Sequence, residues 1–322
     1  MVGHPDVPVV TPPRRMSLPA PGAVFAGHLV EAMVGRGGMG VVYRARHRGL
    51  GRVVALKTIV PELLGDASIR RRFLEEAVTA ASIEHPNVVP VHDAGEADGI
   101  AYMVMRYVHG MDLHAMVRRS APLDPSRAAE IVVTVGDALD AMHRAGYVHR
   151  DVKPRNVLIA RSGHVYLSDF GLARQVVARP GATVSGHWVG TVDYVAPEQI
   201  CGARTDARTD VYGLGCLLYF ALTGRPPYAG DSDEATLWAH VYGPPPSPSR
   251  ARPGVPPALD AVVARALAKD PVERFASAGE LARSALAAAR GPGRPARLPR
   301  PRTAAVMGVL AFAGVAGALL VG

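Results

Sequence analysis

The sequence predicts an α+β chain, with short strands dominating its first third and helices its second half. Three observations lead there. The 322 residues are long for one compact core and suggest two lobes or domains plus tails. The first third alternates short β-branched runs with glycine turns, whereas the second half carries apolar residues at helical spacing. Hydrophobic residues make up 48% and charged residues 20%, ordinary globular usage, so the stretch from about Phe25 to Ala288 is expected to fold.

The flanks read differently. Residues 1–24 contain Pro5, Pro8, Pro12, Pro13, Pro19 and Pro21, a density that prevents helix formation and supplies no core. They lack the apolar stretch of a secretory signal, so a disordered N-terminal tail is expected, with Met16 as a second candidate start. Two cysteines, Cys201 and Cys216, cannot make a disulfide framework, and no Cys/His spacing suggests zinc. The formal charge is +8 and the pI about 9.8, values that a nucleic-acid protein could share. However, Arg290, Arg294, Arg297, Arg300 and Arg302 crowd into one stretch, and Glu280 is the last acidic residue. Much of the excess charge therefore sits on a linker over 289–303, and no nucleic-acid partner is expected.

The first patterned block, "VGRGGMGVVYRARH", runs from Val34 to His47. Val34, then Gly35, Gly37 and Gly40, then Val41, Val42 and Tyr43 suggest strand, tight turn, strand. Glycine lets a backbone N–H approach a phosphate closely. A glycine triplet of this kind serves a dinucleotide site or a plain hairpin equally well, but the β-branched "VVYRAR" after it favours a strand over the helix that a dinucleotide site needs. A second strand, "RVVALKTI", places Val53, Ala55 and Lys57 on one face. A lysine among inward apolar neighbours requires an anionic partner. The next segment has Ile69, Phe73, Ala77 and Ala80 at helical spacing, with Glu76 on that face and Glu75 pointing away. A Lys57–Glu76 ion pair would account for both inward charges.

"YVHRDVKPRNVLI" and "HVYLSDFGLAR" follow, each a polar segment between short apolar runs and each read as strand–loop–strand. Asp151 and Asn156 share one loop and Asp169 lies on the other. A lone loop Asp is usually a turn or cap residue. Three such groups behind a glycine loop and an inward lysine fit phosphoryl transfer, which needs charge neutralisation, metal sites and a positioned acceptor hydroxyl.

At this point the sequence closely resembles the bacterial, eukaryotic-like Ser/Thr protein kinase family of membrane-anchored type. The residues that carry the resemblance are "GRGGMGVVY", "VALK", Glu76, "HRDVKPRN", "DFG" and "APE", in family order, with "TDVYGLGCLLY" and Arg274 downstream. It covers roughly residues 25–288 and implies an α+β two-lobe protein-kinase fold, with a small lobe of mainly antiparallel sheet plus one helix over 25–105 and a large, mainly helical lobe over 106–288. It also implies roles by position. The ATP site would be built from Val34, Gly35, Arg36, Gly37, Gly38, Met39, Gly40, Val41, Val42, Ala55, Lys57, Met105, Arg106 and Val108. Within it Lys57, held by Glu76, would grip the α- and β-phosphates, Val42 and Ala55 would flank adenine, and Met105 would be the gatekeeper. Arg106 stands where many relatives have an acid. Asp151 would receive or orient the substrate proton, Lys153 would stabilise the γ-phosphoryl, and Asn156 and Asp169 would hold Mg²⁺ (or Mn²⁺). Lys153, with Thr191 before "APE", resembles the Ser/Thr class. The alternative from another class is a catalytically silent, nucleotide-binding scaffold. Protein substrates are implied, and pairing of two copies through the small lobe is a further family expectation.

Arg150 precedes the catalytic Asp, where a fixed cation can pair with a phosphate on the 172–195 loop; Thr183 and Ser185 are the candidate phosphorylation sites. "SRAAEIVVTVGDALDAMHRAG" reads as a helix capped by Ser126 and ended by Gly146. "DVYGLGCLLYFALTG" is apolar nearly all round and too short to span a bilayer, hence a buried helix. Asp210 resembles the family's brace for the catalytic loop, and Glu198 and Arg274 its buried ion pair. "GPPPSPSRARPGVPP" reads as a surface loop. Residues 304–322 carry no charge and as a helix would be roughly 28 Å long, near the hydrocarbon thickness of about 30 Å. Five arginines precede them and none follows. The expectation is a single-pass transmembrane helix that keeps the kinase-like part on the cytoplasmic side of the cell membrane.

Overall fold

The computed structural model describes residues 18–37, 40–60, 66–120, 122–169 and 192–291. Gly38, Met39, Thr183, Ser185 and the whole 304–322 segment, all singled out above, lie outside the described residues. Among those described, no helix is long and apolar enough to cross a membrane.

The small lobe is a six-stranded antiparallel sheet in the order β1-β2-β3-β4-β6-β5, with β1 Val24–Phe25, β2 His28–Arg36, β3 Gly40–His47, β4 Val53–Ile59, β5 Val91–Ala97 and β6 Ile100–Arg106. Helix α1 (Ala67–Ala81) packs against it through Ile69, Phe73, Glu76, Ala77 and Ala80, and Asp66 caps it by accepting from the N–H groups of Ser68 and Ile69. The predicted periodicity therefore marks the packed face, Glu76 included. Alternation along β3 sends Val41, Tyr43 and Ala45 into the small-lobe core with Leu56, Ile100 and Val104. Val41 could therefore line an ATP site only through its backbone. Its side chain is fully buried on the far side of the strand, because neighbouring residues on a strand face opposite ways.

The large lobe begins with β7 (Gly110–Asp112) and helix α2 (Leu113–Ser120), followed by α3 (Pro125–Arg144). The cap of α3 is Asp124, which accepts from Ser126 N at 2.9 Å; Ser126 is a first-turn residue behind Pro125, a favoured N1 residue. Strands β8 (Val157–Ala160) and β9 (Val165–Leu167) complete a small sheet with β7. The segment before Asp151 is not a strand, contrary to the strand–loop–strand expectation. Its backbone donors at His149 and Arg150 go to the Asp210 carboxylate instead of a neighbouring strand. Then come α4 (Pro197–Ile200), α5 (Ala207–Thr223), α6 (Asp233–Tyr242), α7 (Pro248–Ala251), α8 (Ala258–Ala266) and α9 (Ala278–Arg290). The proline-rich stretch is thus not all loop: Pro248 starts the turn α7, and Arg252 behind it donates to the carbonyls of Leu123 and Leu222.

Helix α5 is buried from Thr209 to Leu222 and is the axis of the large-lobe core. Its Gly213 has a specific reason. A Cβ there would lie 2.9 Å from Val152 Cβ, so glycine lets the catalytic loop pack directly on the helix. The lobes are stitched where Val89 N donates to Leu167 O and Leu167 N to Asn87 O.

Candidate active site

The residues predicted for chemistry converge at the loop between α3 and β8. A 3₁₀ turn at Pro154–Asn156 folds the chain back, bringing Asn156 Nδ2 to 2.8 Å from Asp151 O and 3.0 Å from Asp151 Oδ2. Lys153 Nζ lies 2.7 Å from the same Oδ2. Asp151 and Asn156 are both buried. With both amide hydrogens turned to Asp151, Asn156 keeps its oxygen as the available ligand.

Asp210, at the start of α5, holds this loop in shape. One oxygen accepts from His149 N and contacts His143 Nε2, both at 2.7 Å, and the other accepts from Arg150 N at 2.6 Å. Arg150 sits at φ 62°, an uncommon backbone state for a side chain of its size. The buried carboxylate at two consecutive N–H groups is what fixes it. His149 Nδ1 accepts from Asp151 N while Nε2 reaches Ser168 O at 3.1 Å, so the ring ties the Asp151 loop to the Asp169 loop. Gln199 Nε2 donates to Arg150 O at 3.0 Å and links α4 to the same loop. Sequence reasoning missed His143, Gln199 and Tyr147; nothing in their local patterns distinguishes them from ordinary helix or loop residues.

Across the cleft, β4 carries Lys57 opposite Val42 on β3 and Met103 on β6, with Ala55 opposite Met105. Gly40 N-terminal to Val42 allows a close crossing, since a Cβ there would fall 2.8 Å from Thr58 O. Gly37 N donates to Gly40 O at 2.9 Å, pairing the backbone beside the ends of β2 and β3. Arg106 extends its guanidinium to the Tyr166 hydroxyl at 2.8 Å and lies over that ring, which accounts for a basic residue at this position without using its backbone.

The expected Lys57–Glu76 ion pair is not formed. Lys57 Nζ contacts Asp169 Oδ1 at 2.6 Å, and the Glu76 carboxylate hydrogen-bonds the Tyr147 hydroxyl. Glu76 still faces the lysine and acts on it through space. Burial pushes the Lys57 ammonium down, but Asp169 first, then Glu76 and Asp151, more than offset it and leave its pKa raised. Burial likewise pushes Asp169 up, while Lys57 and then Lys153 outweigh it and hold the carboxyl below its usual range. Burial, with Glu76, lifts the Tyr147 phenol far above its ordinary value. At neutral pH the cleft therefore holds an ammonium and a carboxylate in contact, with the Asp151–Lys153–Asn156 group opposite.

No cluster of three or more metal-ligating side chains occurs among the described residues. Asn156 and Asp169 nevertheless fit Mg²⁺, a hard cation that is usually held by one or two carboxylates and completed by phosphate and water oxygens. The Asp169 side chain is 37% exposed, so an oxygen of it can be reached from the cleft.

Known proteins are similar to this chain in sequence and fold. The "Protein kinase domain" family profile matches residues 29–286. The serine/threonine-protein kinase PknD of Mycobacterium tuberculosis (H37Rv) is 46% identical over 267 residues, 83% of this chain and 40% of that protein. PknE of Mycobacterium bovis is also 46% identical, over 83% of this chain and 47% of its own length. This chain thus spans less than half the length of these curated relatives. Among solved structures, the M. tuberculosis PknI kinase domain has a TM-score of 0.68 at 36% identity, covering 83% of this chain and 98% of that one. A structure of Rad53 residues 1–466 in complex with AMP-PNP has a TM-score of 0.67 at 26% identity, covering 82% of this chain and 65% of that one. A two-lobe fold with the Asp151 loop facing the Lys57 strand, matched by that profile over most of its length, places this chain in the protein kinase family, among the bacterial eukaryotic-like serine/threonine kinases.

Proposed function

We propose that the chain is an ATP-dependent kinase that moves the γ-phosphoryl group to Ser/Thr hydroxyls of proteins. The observation that carries this reading is the Asp151–Lys153–Asn156 group, bonded on one loop at 2.7–3.0 Å and facing Lys57 across the cleft. The acceptor oxygen attacks the γ-phosphorus, the bond to the β-phosphate oxygen breaks, ADP leaves, and the hydroxyl proton passes to Asp151. Lys153 meets charge on the transferred group, and Lys57, which contacts Asp169 at 2.6 Å, would meet the remaining phosphates. Mg²⁺ (or Mn²⁺) on Asn156 and Asp169 would supply charge neutralisation. Val42, Ala55 and Met105 would flank adenine, with the Arg106–Val108 backbone as its hydrogen-bonding edge and Gly35–Gly40 over the phosphates. That the Rad53 relative was solved in complex with AMP-PNP supports a nucleotide ligand for this chain. Labelled ATP should phosphorylate a generic basic protein and the chain itself. Lys57→Ala should abolish both, and mass spectrometry should place the self-modification at Thr183 or Ser185 within the 172–195 loop. A scaffold would incorporate no label.

We also infer that residues 304–322 tether this domain to the cell membrane from the cytoplasmic side, on the strength of their uncharged composition and the five arginines before them. The full chain should stay with the membrane fraction through high salt and carbonate. Release into the supernatant would overturn the tether and leave the catalytic reading untouched.

A further inference from the structure

A cavity of about 240 Å³ opens on the large lobe beside the catalytic loop. Three arginines from distant segments meet there: Arg118 on α2, Arg155 in the 3₁₀ turn and Arg225 after α5. All three are exposed, and none forms an ion pair with a described residue. Lone exposed arginines are ordinary surface. Three converging on one concave wall with a single acid, Asp193, among the lining residues concentrate positive potential there. His114 adds no charge. Burial, and then Arg155, hold its pKa below the ordinary value, and its ring stacks on Phe220 at 5.5 Å as a flat floor. The cavity's remaining cation, Lys153, touches Asp151 at 2.7 Å, so the cavity adjoins the place where the acceptor hydroxyl must sit.

On the kinase reading above, we propose that this cavity selects protein substrates carrying an oxyanion side chain, carboxylate or phosphate, close to the acceptor Ser/Thr. Guanidinium groups suit both anions through paired N–H donors. Because Lys153 spans from the cavity to Asp151, the anion belongs within about three residues of the acceptor at roughly 3.3 Å per residue of extended chain.

The test is steady-state phosphorylation of Thr peptides by the purified full chain. Ala, Glu, Lys or phosphoserine is placed in turn at each of three positions on either side of the Thr. The expected result is a kcat/KM about tenfold higher for Glu or phosphoserine than for Ala at one or two positions. The gain should lie mainly in KM and fade at high salt. A larger gain for phosphoserine than for Glu would identify a pre-phosphorylated substrate, and the reverse an acidic one. Arg118→Glu combined with Arg155→Glu should invert the preference towards Lys, a charge swap that mere loss of packing would not produce; Arg225→Glu should weaken it alone. Equal turnover of Ala, Glu and Lys peptides, or a Glu preference surviving the double substitution, would overturn the cavity's role while leaving the kinase reading intact. Absence of turnover with every peptide and with the generic protein would overturn both.

Discussion

Asp151→Asn lowers kcat for protein phosphorylation by about two to four orders of magnitude, the range over which a positioned acid–base group contributes, and leaves the fold in place. The substitution is nearly isosteric, so the 3₁₀ turn and the packing of Val152 on Gly213 persist. What changes is the polarity of one contact point. Asp151 Oδ2 accepts from both Lys153 Nζ and Asn156 Nδ2. An amide can offer them one oxygen, and it then turns its NH₂ towards the acceptor, which is where a proton has to be received. If the amide flips, two donor groups confront a third. Either way the loop keeps its shape and loses its proton acceptor. The KM for ATP should change by less than about threefold, because the Lys57 side of the cleft is untouched, and thermal unfolding should stay within a few degrees of wild type. A variant that retains more than about a tenth of the activity would assign the proton to another group. A collapse of the unfolding temperature would make Asp151 a structural residue first.

Much of this site is legible in the sequence because its pieces are local. The glycine turn, the inward lysine of β4 and the Asp151–Asn156 loop each declare themselves through spacing within about a dozen residues; the buried face of α1 follows from helical periodicity and the all-round burial of α5 from its nearly uniform apolarity. The contacts that escape are those set by how separate elements dock. Period places Glu76 on the packed face of α1, but whether its carboxylate or that of Asp169 reaches Lys57 depends on the position of α1 against the sheet. In this structure Asp169 wins at 2.6 Å, and Tyr147, 71 positions further along the chain, takes Glu76. The meeting of His143 with Asp210, 67 positions apart, is of the same kind, as is the convergence of Arg118, Arg155 and Arg225. The inward direction of the Val41 side chain has a different origin: it follows from strand alternation, which the sequence contained.

Glu198→Ala should destabilise the large lobe by about 3–5 kcal/mol, the usual consequence of leaving a buried charge without its partner, and lower the unfolding temperature by on the order of 10 °C. Arg274 is 2% exposed, and its guanidinium donors are all committed. Nη1 and Nη2 each reach a Glu198 oxygen at 2.8 Å, and the carbonyls of Ala268, Arg208 and Lys269 accept the remainder. Thr209 adds a hydroxyl to the carboxylate at 2.8 Å. The pair thus clamps α4, the start of α5 and the 268–269 turn together. A lysine cannot reproduce this fork, so Arg274→Lys should be nearly as damaging. Loosened α4 also frees Gln199 from Arg150 O, so activity should fall below what unfolding alone explains. The pH dependence gives an independent check. Burial pushes Glu198 up, but Arg274 outweighs it and leaves the carboxyl below its ordinary 4.5. Below about that pH the unfolded chain therefore binds a proton that the native chain refuses. The pair's contribution is complete at neutral pH and declines as pH falls from 4.5 downwards. In urea titrations, the stability difference between wild type and Glu198→Gln should shrink steadily over that acid range. A difference that stays constant with pH would show that the clamp acts through shape, not through the charge on Glu198.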